Sequence, residues 1–451
     1  MEKELQDFTR GNIPRQFAVF AAPLLFSSLF QIVYNMADMV VVGRALGQTG
    51  LSAVSVGGDI AHFLTFLAMG FSNAGQIIIA QYVGAGKRDK IGRFIATLFT
   101  ALMAGSVVLS GVCLALREGL LRVMNTPQEA YEGALAYTTV CALGLAFIYG
   151  YNAVSAVLRG LGDAIHPFLF ISFAVVLNII LDLLFVFVLS WGCAGAALAT
   201  VISQGASFAL SALFLLKKRR SLDIWHEGEG VTWGDKAMLA ALCKLGFPMA
   251  IKSAAVQFSK LSVNAWLNTY GVSVSAMSGI ANKVNSVSNL ISNVANTTGS
   301  AMIGQNIGAQ KFERVPRVLA TVACVTVGSA AVMSAVLLCW PQQVFGLFTN
   351  EQAVLDIARQ YLPVAFVTFG ATALRGPMNA LIDGSGNYKL NFLTAILDGI
   401  VMRLGLAALL GKALGMGYVG FWLGDALAGY TPALIGAFYL ASGRWKKRAI
   451  S

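Results

Sequence analysis

"QYVGAGKRDKIGRFIAT" at residues 81–97 returns as "QNIGAQKFERVPRVLAT" at 305–321, 224 residues later, with seven identities in seventeen. The same offset lays "GLGD" (160–163) over "GSGN" (384–387) and Tyr137 over Tyr361; Pro23 falls near Pro248 with a slip of one residue. In a chain of 451 residues this makes the folding plan two copies of one half. Each quoted copy is a polar break between long apolar runs, so the nature of those runs decides the fold.

Hydrophobic residues make up 57% of the chain and charged residues only 12%, with a mean hydropathy of +0.70. Soluble domains carry about 25% charged residues. Apolar stretches of bilayer length recur with short polar breaks. Only helices and closed barrels satisfy their backbone in lipid, and these runs are too long for barrel strands. Twelve spans are expected, near 14–43, 50–82, 92–116, 131–158, 164–189, 194–216, 239–270, 274–306, 315–340, 353–381, 389–410 and 416–442. The polar start "MEKELQDFTRGNIPRQ" lacks the apolar core and cleavage site of a signal peptide, so the first span is expected to stay.

The net charge of +11 is sorted rather than spread. With the N-terminus inside, the inner segments hold Lys87, Arg88, Lys90, Arg93, the "KKRR" run at 217–220 and Arg444, Lys446, Lys447 and Arg448. The outer segments hold only Arg44, Arg117, Arg122, Arg359 and Lys412. This positive-inside pattern predicts a multi-pass protein of the cytoplasmic (plasma) membrane with both termini cytoplasmic. It also accounts for the basic runs without nucleic acid. The expected fold is an all-α membrane protein with two six-helix lobes, 1–216 and 239–451, joined by a charged cytoplasmic linker at 217–238. An even span count per half relates the lobes by a pseudo-two-fold axis along the membrane normal.

Polar groups inside the spans are functional candidates, because lipid makes them costly. "ANKVNSVSNLISNVANTTG" (281–299) advances its amides and serines by three or four, placing 278, 282, 285, 289, 292/293 and 296 on one helix face. Such a stripe either bonds to neighbouring helices or lines a wet cavity. The first half carries Asp38, Asp59 and Asp182 in its spans. The second carries Lys252, Lys260, Lys283, Arg375 and Arg403, with Asp398 and Asp425. Asp38, Asp182 and Thr200 lie at similar depth, and Asn178 shares a helix face with Asp182. Two carboxylates, an amide oxygen and a hydroxyl form an oxygen-only set suited to a hard cation such as sodium. The carboxylates could carry a proton instead. Opposite them, Lys260, Lys283 and Arg375 form an expected basic patch suited to carboxylate- or phosphate-bearing compounds, unless these cations pair internally.

The six cysteines are scattered, and the three histidines, His62, His166 and His226, lie near span ends or in the linker. No metal site, disulfide framework or nucleophile–base pair is indicated. "GAGKR" (84–88) lacks the spacing and hydroxyl of an ATP-binding loop.

"PLLFSSLFQIVYNMADMVVVGRALG" (23–47), the duplicated "QYVGAGK"/"QNIGAQK" and "LRGLGDAIHP" (158–167) together resemble the MATE family of multidrug and toxic compound extrusion transporters over essentially the whole chain. The resemblance implies a two-lobed antiporter, not an enzyme. It would export small amphipathic organic compounds by alternating access, driven by sodium or protons, without a cofactor. One branch holds its cation in the N-lobe, and its residues match Asp38, Asn178, Asp182 and Thr200. Its helix 1 tyrosine matches Tyr34 and its helix 4 asparagine Asn152. Another branch uses acidic residues on helices 7 and 10, where this chain has Lys252, Lys260 and Arg375. Substrate contacts are expected from Tyr34 and Asn152 in the first half. In the second half they are expected from Lys260, Lys283, Asn285, Asn289, Arg375 and Asn379. The chain is expected to work as a monomer in the bilayer. The rival reading is a flippase or exporter of anionic substrates, lipid-linked or phosphate- or carboxylate-bearing, on the same fold.

Overall fold

The computed structural model describes residues 6–218 and 235–447. Most of the expected linker, with Arg219, Arg220 and His226, lies outside the described residues, as does Arg448. Every expected span is helical. The first two are one continuous element, α1 (Ile13–Gly84, 72 residues), broken only at Gly47 (φ +66°, ψ −159°). A straight helix of that length would run about 108 Å, several membrane thicknesses. Gly47 can take the positive φ that ends one span and starts the next.

The first half continues with α2 (Arg88–Val123), α3 (Gln128–Leu143), α4 (Leu145–Gly160), α5 (Ile165–Asp182) and α6 (Gly192–Lys218). α3 and α4 form one span bent by 48° around Gly144. The second half has α7 (Lys236–Asn268), α8 (Val272–Gly308), α9 (Val315–Cys339), the short α10 (Pro341–Gly346) and α11 (Gln352–Gly384). It ends with α12 (Tyr388–Ile396), α13 (Arg403–Ala408), α14 (Gly417–Ala428) and α15 (Thr431–Ala441). π-helical turns at Leu183–Val188, Leu397–Met402 and Leu409–Ala413 extend α5, join α12 to α13 and follow α13. Among the described residues seven helices are each long and apolar enough to cross a membrane, or up to eight if the bent pair α3–α4 is one span. α8 and α11 are not among the seven: the amide stripe and the charges of α11 dilute their apolar content.

The repeated motifs build the turns. Gly162 (φ +93°) and Gly386 (φ +66°) occupy matching positions of "GLGD" and "GSGN". The following Asp163 accepts the N–H groups of Ile165 and His166 at 3.0 and 3.1 Å, and Asn387 accepts that of Leu390 at 3.2 Å. A left-handed residue followed by a capping oxygen thus opens α5 and α12 alike. Gly86 (φ +68°) and Gln310 (φ +57°) are likewise a repeat pair.

The chain packs into two compact units. One comprises Met1–Gln6, Ala22–Val83 and Lys87–Phe247; the other comprises Asp7–Ala21, Gly84–Gly86 and Pro248–Ser451. α1 and α7 each pass from one unit to the other within a residue or two of a proline, Pro23 and Pro248. The unit boundaries therefore differ from the expected division at 216 and 239. Residues of "QNIGAQKFER" hold the segment at 8–11 within the second unit. Gln305 Oε1 accepts from Phe8 N–H at 3.0 Å, and Asn306 Nδ2 donates to Phe8 O at 3.1 Å. Lys311 Nζ donates to Thr9 O at 2.9 Å, and Arg314 to Gly11 O at 3.1 Å. Beside them Asp7 accepts from the Thr9 N–H and hydroxyl. Burial alone would raise the Asp7 pKa, but these bonds, with Arg10 and Lys311, hold it below the ordinary carboxylate value.

Inside the second unit α13 and α14 approach so closely that a Cβ on Gly424 would lie 2.4 Å from the backbone nitrogen of Ala407. A Cβ on nearby Gly405 would meet nothing within 4 Å. Gly424→Ala should therefore lower stability by about 1–3 kcal/mol or more, whereas Gly405→Ala should leave it nearly unchanged. Thermal unfolding of the two variants in detergent checks the contrast.

Candidate functional site

Two charged clusters are buried, one in each unit, and they are built on opposite principles. In the first unit Tyr34 and Asp38 sit one turn apart on α1, Asn178 and Asp182 one turn apart on α5, and Thr200 on α6. Asp182 is the last α-helical residue before the π turn Leu183–Val188. Tyr34 and Thr200 share a hydrogen bond of 3.0 Å between their hydroxyls. With its amide oriented to satisfy both neighbours, Asn178 Nδ2 donates to Asp182 Oδ2 at 2.8 Å and its oxygen accepts from Thr200 N–H at 3.2 Å. Asp38 and Asp182 are 9% and 0% exposed, and one Oδ1 on each is buried without a hydrogen-bond partner. The two carboxylates lie within electrostatic range of each other, and among the described residues neither has an ion-pair partner.

The structure thus brings together Asp38, Asn178, Asp182, Thr200 and Tyr34. A buried like-charge pair is costly unless a cation or proton joins it. The unpaired Oδ1 atoms, with the hydroxyls and amide beside them, fit an oxygen-ligated monovalent cation or a shared proton. Asn152 stands differently: its Nδ2 donates to Ile148 O at 2.8 Å, one turn back in its own helix. Asp59 is exposed.

In the second unit the buried or partly buried carboxylates Asp383, Asp398 and Asp425 each have a cationic partner. Arg403 donates to Asp398 at 2.9 Å and to Asp425 through its other terminal nitrogen. Asp398 and Arg403 are five residues apart across the π turn Leu397–Met402, whose i→i+5 repeat sets them in line. Lys252 makes a second buried pair, with Asn379 Oδ1 at 2.9 Å and Asp383 at 3.8 Å. Asp383 also accepts from Asn296 at 3.2 Å. Asp383 was the partner that sequence reasoning missed: it lies 131 positions from Lys252, and no local spacing marks it.

The amide stripe of α8 proves to be mostly a seam with α11. Asn285 donates to the Tyr361 hydroxyl at 2.9 Å, and Asn289 accepts from Arg375 at 2.8 Å. Ser292 donates to Thr372 O at 3.2 Å. Its first turns line a cavity: Ser278, Asn282 and Asn285 face it with Lys260, Asn264, Tyr361, Trp422 and Asp425. Lys283 is exposed and does not line this cavity. The expected basic patch is thus divided, with Lys260 at the cavity, Arg375 held by Asn289 and Lys283 apart.

A duplicated helical membrane fold, with uncompensated carboxylates in one unit and compensated ones in the other, defines a membrane transporter. The chain belongs to the MatE family, whose sequence pattern matches residues 23–184 and 248–409. The two matches lie 225 residues apart, which is the internal repeat with the proline slip included. Among curated relatives, the probable multidrug resistance protein YpnP of Bacillus subtilis (strain 168) is 27% identical over 440 residues, covering 98% of this chain and 97% of the relative. The probable multidrug resistance protein NorM of Thermotoga maritima is 23% identical, covering 97% and 94%. The fold matches a solved structure of MATE in complex with MaD3S (TM-score 0.88, 22% identity, 98% of each chain). It also matches a Pyrococcus furiosus transporter of the MOP superfamily, described as having a binding pocket of reverse polarity (TM-score 0.89, 21% identity, all of each chain).

Removing Arg403 would leave the buried Asp398 and the partly exposed Asp425 without their shared cation. Arg403→Met should therefore destabilise the protein by about 3–5 kcal/mol. Lys283→Gln, at an exposed side chain, should have little effect. Detergent unfolding midpoints compare the two directly.

Proposed function

We propose that the protein is a secondary active exporter of small amphipathic organic compounds, coupled to inward flow of sodium ions or protons through the first-unit carboxylates. The carrying observation is the buried, uncompensated pair Asp38 and Asp182, with an unpaired oxygen on each. A group that must acquire a cation to be stable in a membrane can bias a conformational equilibrium by binding and releasing it. Asn178 and Thr200 complete the oxygen set, and Tyr34 positions the Thr200 hydroxyl. The names of the multidrug-resistance relatives support the substrate class. The protein would work by alternating access in the plasma membrane as a monomer, with both termini cytoplasmic and no cofactor.

One monovalent ion falling through about 150 mV releases roughly 3.5 kcal/mol. That sustains a gradient of about 300-fold for a neutral substrate exchanged one for one. In reconstituted vesicles with a sodium or a proton gradient imposed separately, Asp38→Asn and Asp182→Asn should each abolish gradient-driven export while leaving a folded, inserted protein. Wild-type export by either variant removes its carboxylate from coupling.

A further inference from the structure

We infer that the cavity in the second unit is a binding site for the carboxylate head of a small organic acid, with Lys260 as its cationic partner. This rests on the exporter reading above and names a substrate class for it. The cavity is walled by Lys260 and Asn264 from α7, Asn282 and Asn285 from α8, Tyr361 from α11 and Trp422 from α14.

Charge balance is the first argument. Asp425, Arg403, Arg375 and Asp398 lie within electrostatic range of Lys260. Arg403 is bound to both aspartates, and Arg375 donates to a neutral amide. Among these five groups three cations face two anions. Among the described residues Lys260 Nζ has no hydrogen-bond or ion-pair partner. Asp425 also lines the cavity; Arg403 hydrogen-bonds to it, and Lys260 lies within its electrostatic range. A monoanion restores neutrality; a cation would add a second unmatched charge.

Shape and donors supply the second argument. The cavity has about 30 Å³ of room. A single water needs about 10–15 Å³ by this measure, so the space holds the two oxygens of a carboxylate and not a whole drug. Lys260 offers three N–H donors, and Asn264 and Asn282 are amides able to donate beside it. Asn285 donates to the Tyr361 hydroxyl at 2.9 Å, while its own Oδ1 is buried without a partner and accepts from a water or a ligand hydroxyl. Tyr361 and Trp422 pack edge to face at 5.2 Å between centroids and give the wall an aromatic side. An aromatic or apolar acid therefore fits better than an extended polar one.

Benzoate and benzamide are nearly the same shape and differ in charge, so they test the assignment. By isothermal titration of the full chain in detergent, with no ion gradient, wild type should bind benzoate about tenfold or more tightly than benzamide. Lys260→Gln should erase that preference and Lys260→Arg should keep it. Equal binding of acid and amide by wild type overturns the assignment, as does an acid preference that survives Lys260→Gln. If Lys260→Gln fails to fold, the wild-type ratio and the Arg variant still decide. Oleate, a lipid-borne carboxylate, should bind more weakly than benzoate; tight, Lys260-dependent oleate binding would keep the carboxylate site and assign its source to lipid. Benzoate binding without gradient-driven export of benzoate would uphold the site and refute the exporter reading. Export of an organic cation by a protein that does not distinguish acid from amide would do the reverse.

Discussion

A charge buried in a membrane must find its counter-charge inside the protein, from an ion, or from a proton. That one requirement organises both units. In the second unit Arg403 stands between Asp398 and Asp425, and Lys252 is paired with Asp383. These carboxylates are neutralised by the chain itself. In the first unit Asp38 and Asp182 are equally buried and have no such partner among the described residues. The repeated halves therefore share a scaffold and differ in whether the chain itself gives the carboxylates a cationic partner.

The local backbone makes this contrast possible. π-helical turns occur on the fifth span of the first half and on its counterpart in the second. In one case Asp182 is placed at the last α-helical residue before the turn. In the other the turn itself spaces Asp398 and Arg403 by five residues, so that they meet. A π turn thus follows the unpaired carboxylate Asp182 in one half and spaces the paired Asp398 and Arg403 in the other. Such turns occur where polar chemistry interrupts regular helix, as single π turns often do at functional sites.

The repeated motif at 81–97 and 305–321 has a different role from the charges. Its glycine and glutamine take left-handed conformations between helices. In the second copy its Gln, Asn, Lys and Arg also hold the backbone of residues 8–11. Lys311 and Arg314 of this copy thus have backbone partners within the second unit.

The apolar periodicity, the duplication and the twelve crossings were legible in the sequence because lipid imposes span length and the repeat imposes equivalence. The grouping of Asp38, Asn178, Asp182 and Thr200 was legible too, from i, i+4 spacing and matching depth. The stripe on α8 was legible as a face but not as a seam: which of its amides meet α11 and which meet a cavity depends on how far neighbouring helices stand apart. The pairing of Lys252 with Asp383, and of Arg403 with two aspartates, was not legible, since those partners come from different helices or across a π turn that no residue pattern announces. Tertiary packing alone decided which buried cation was left without a partner, because neutralisation depends on distances of a few ångströms between side chains and not on their order along the chain.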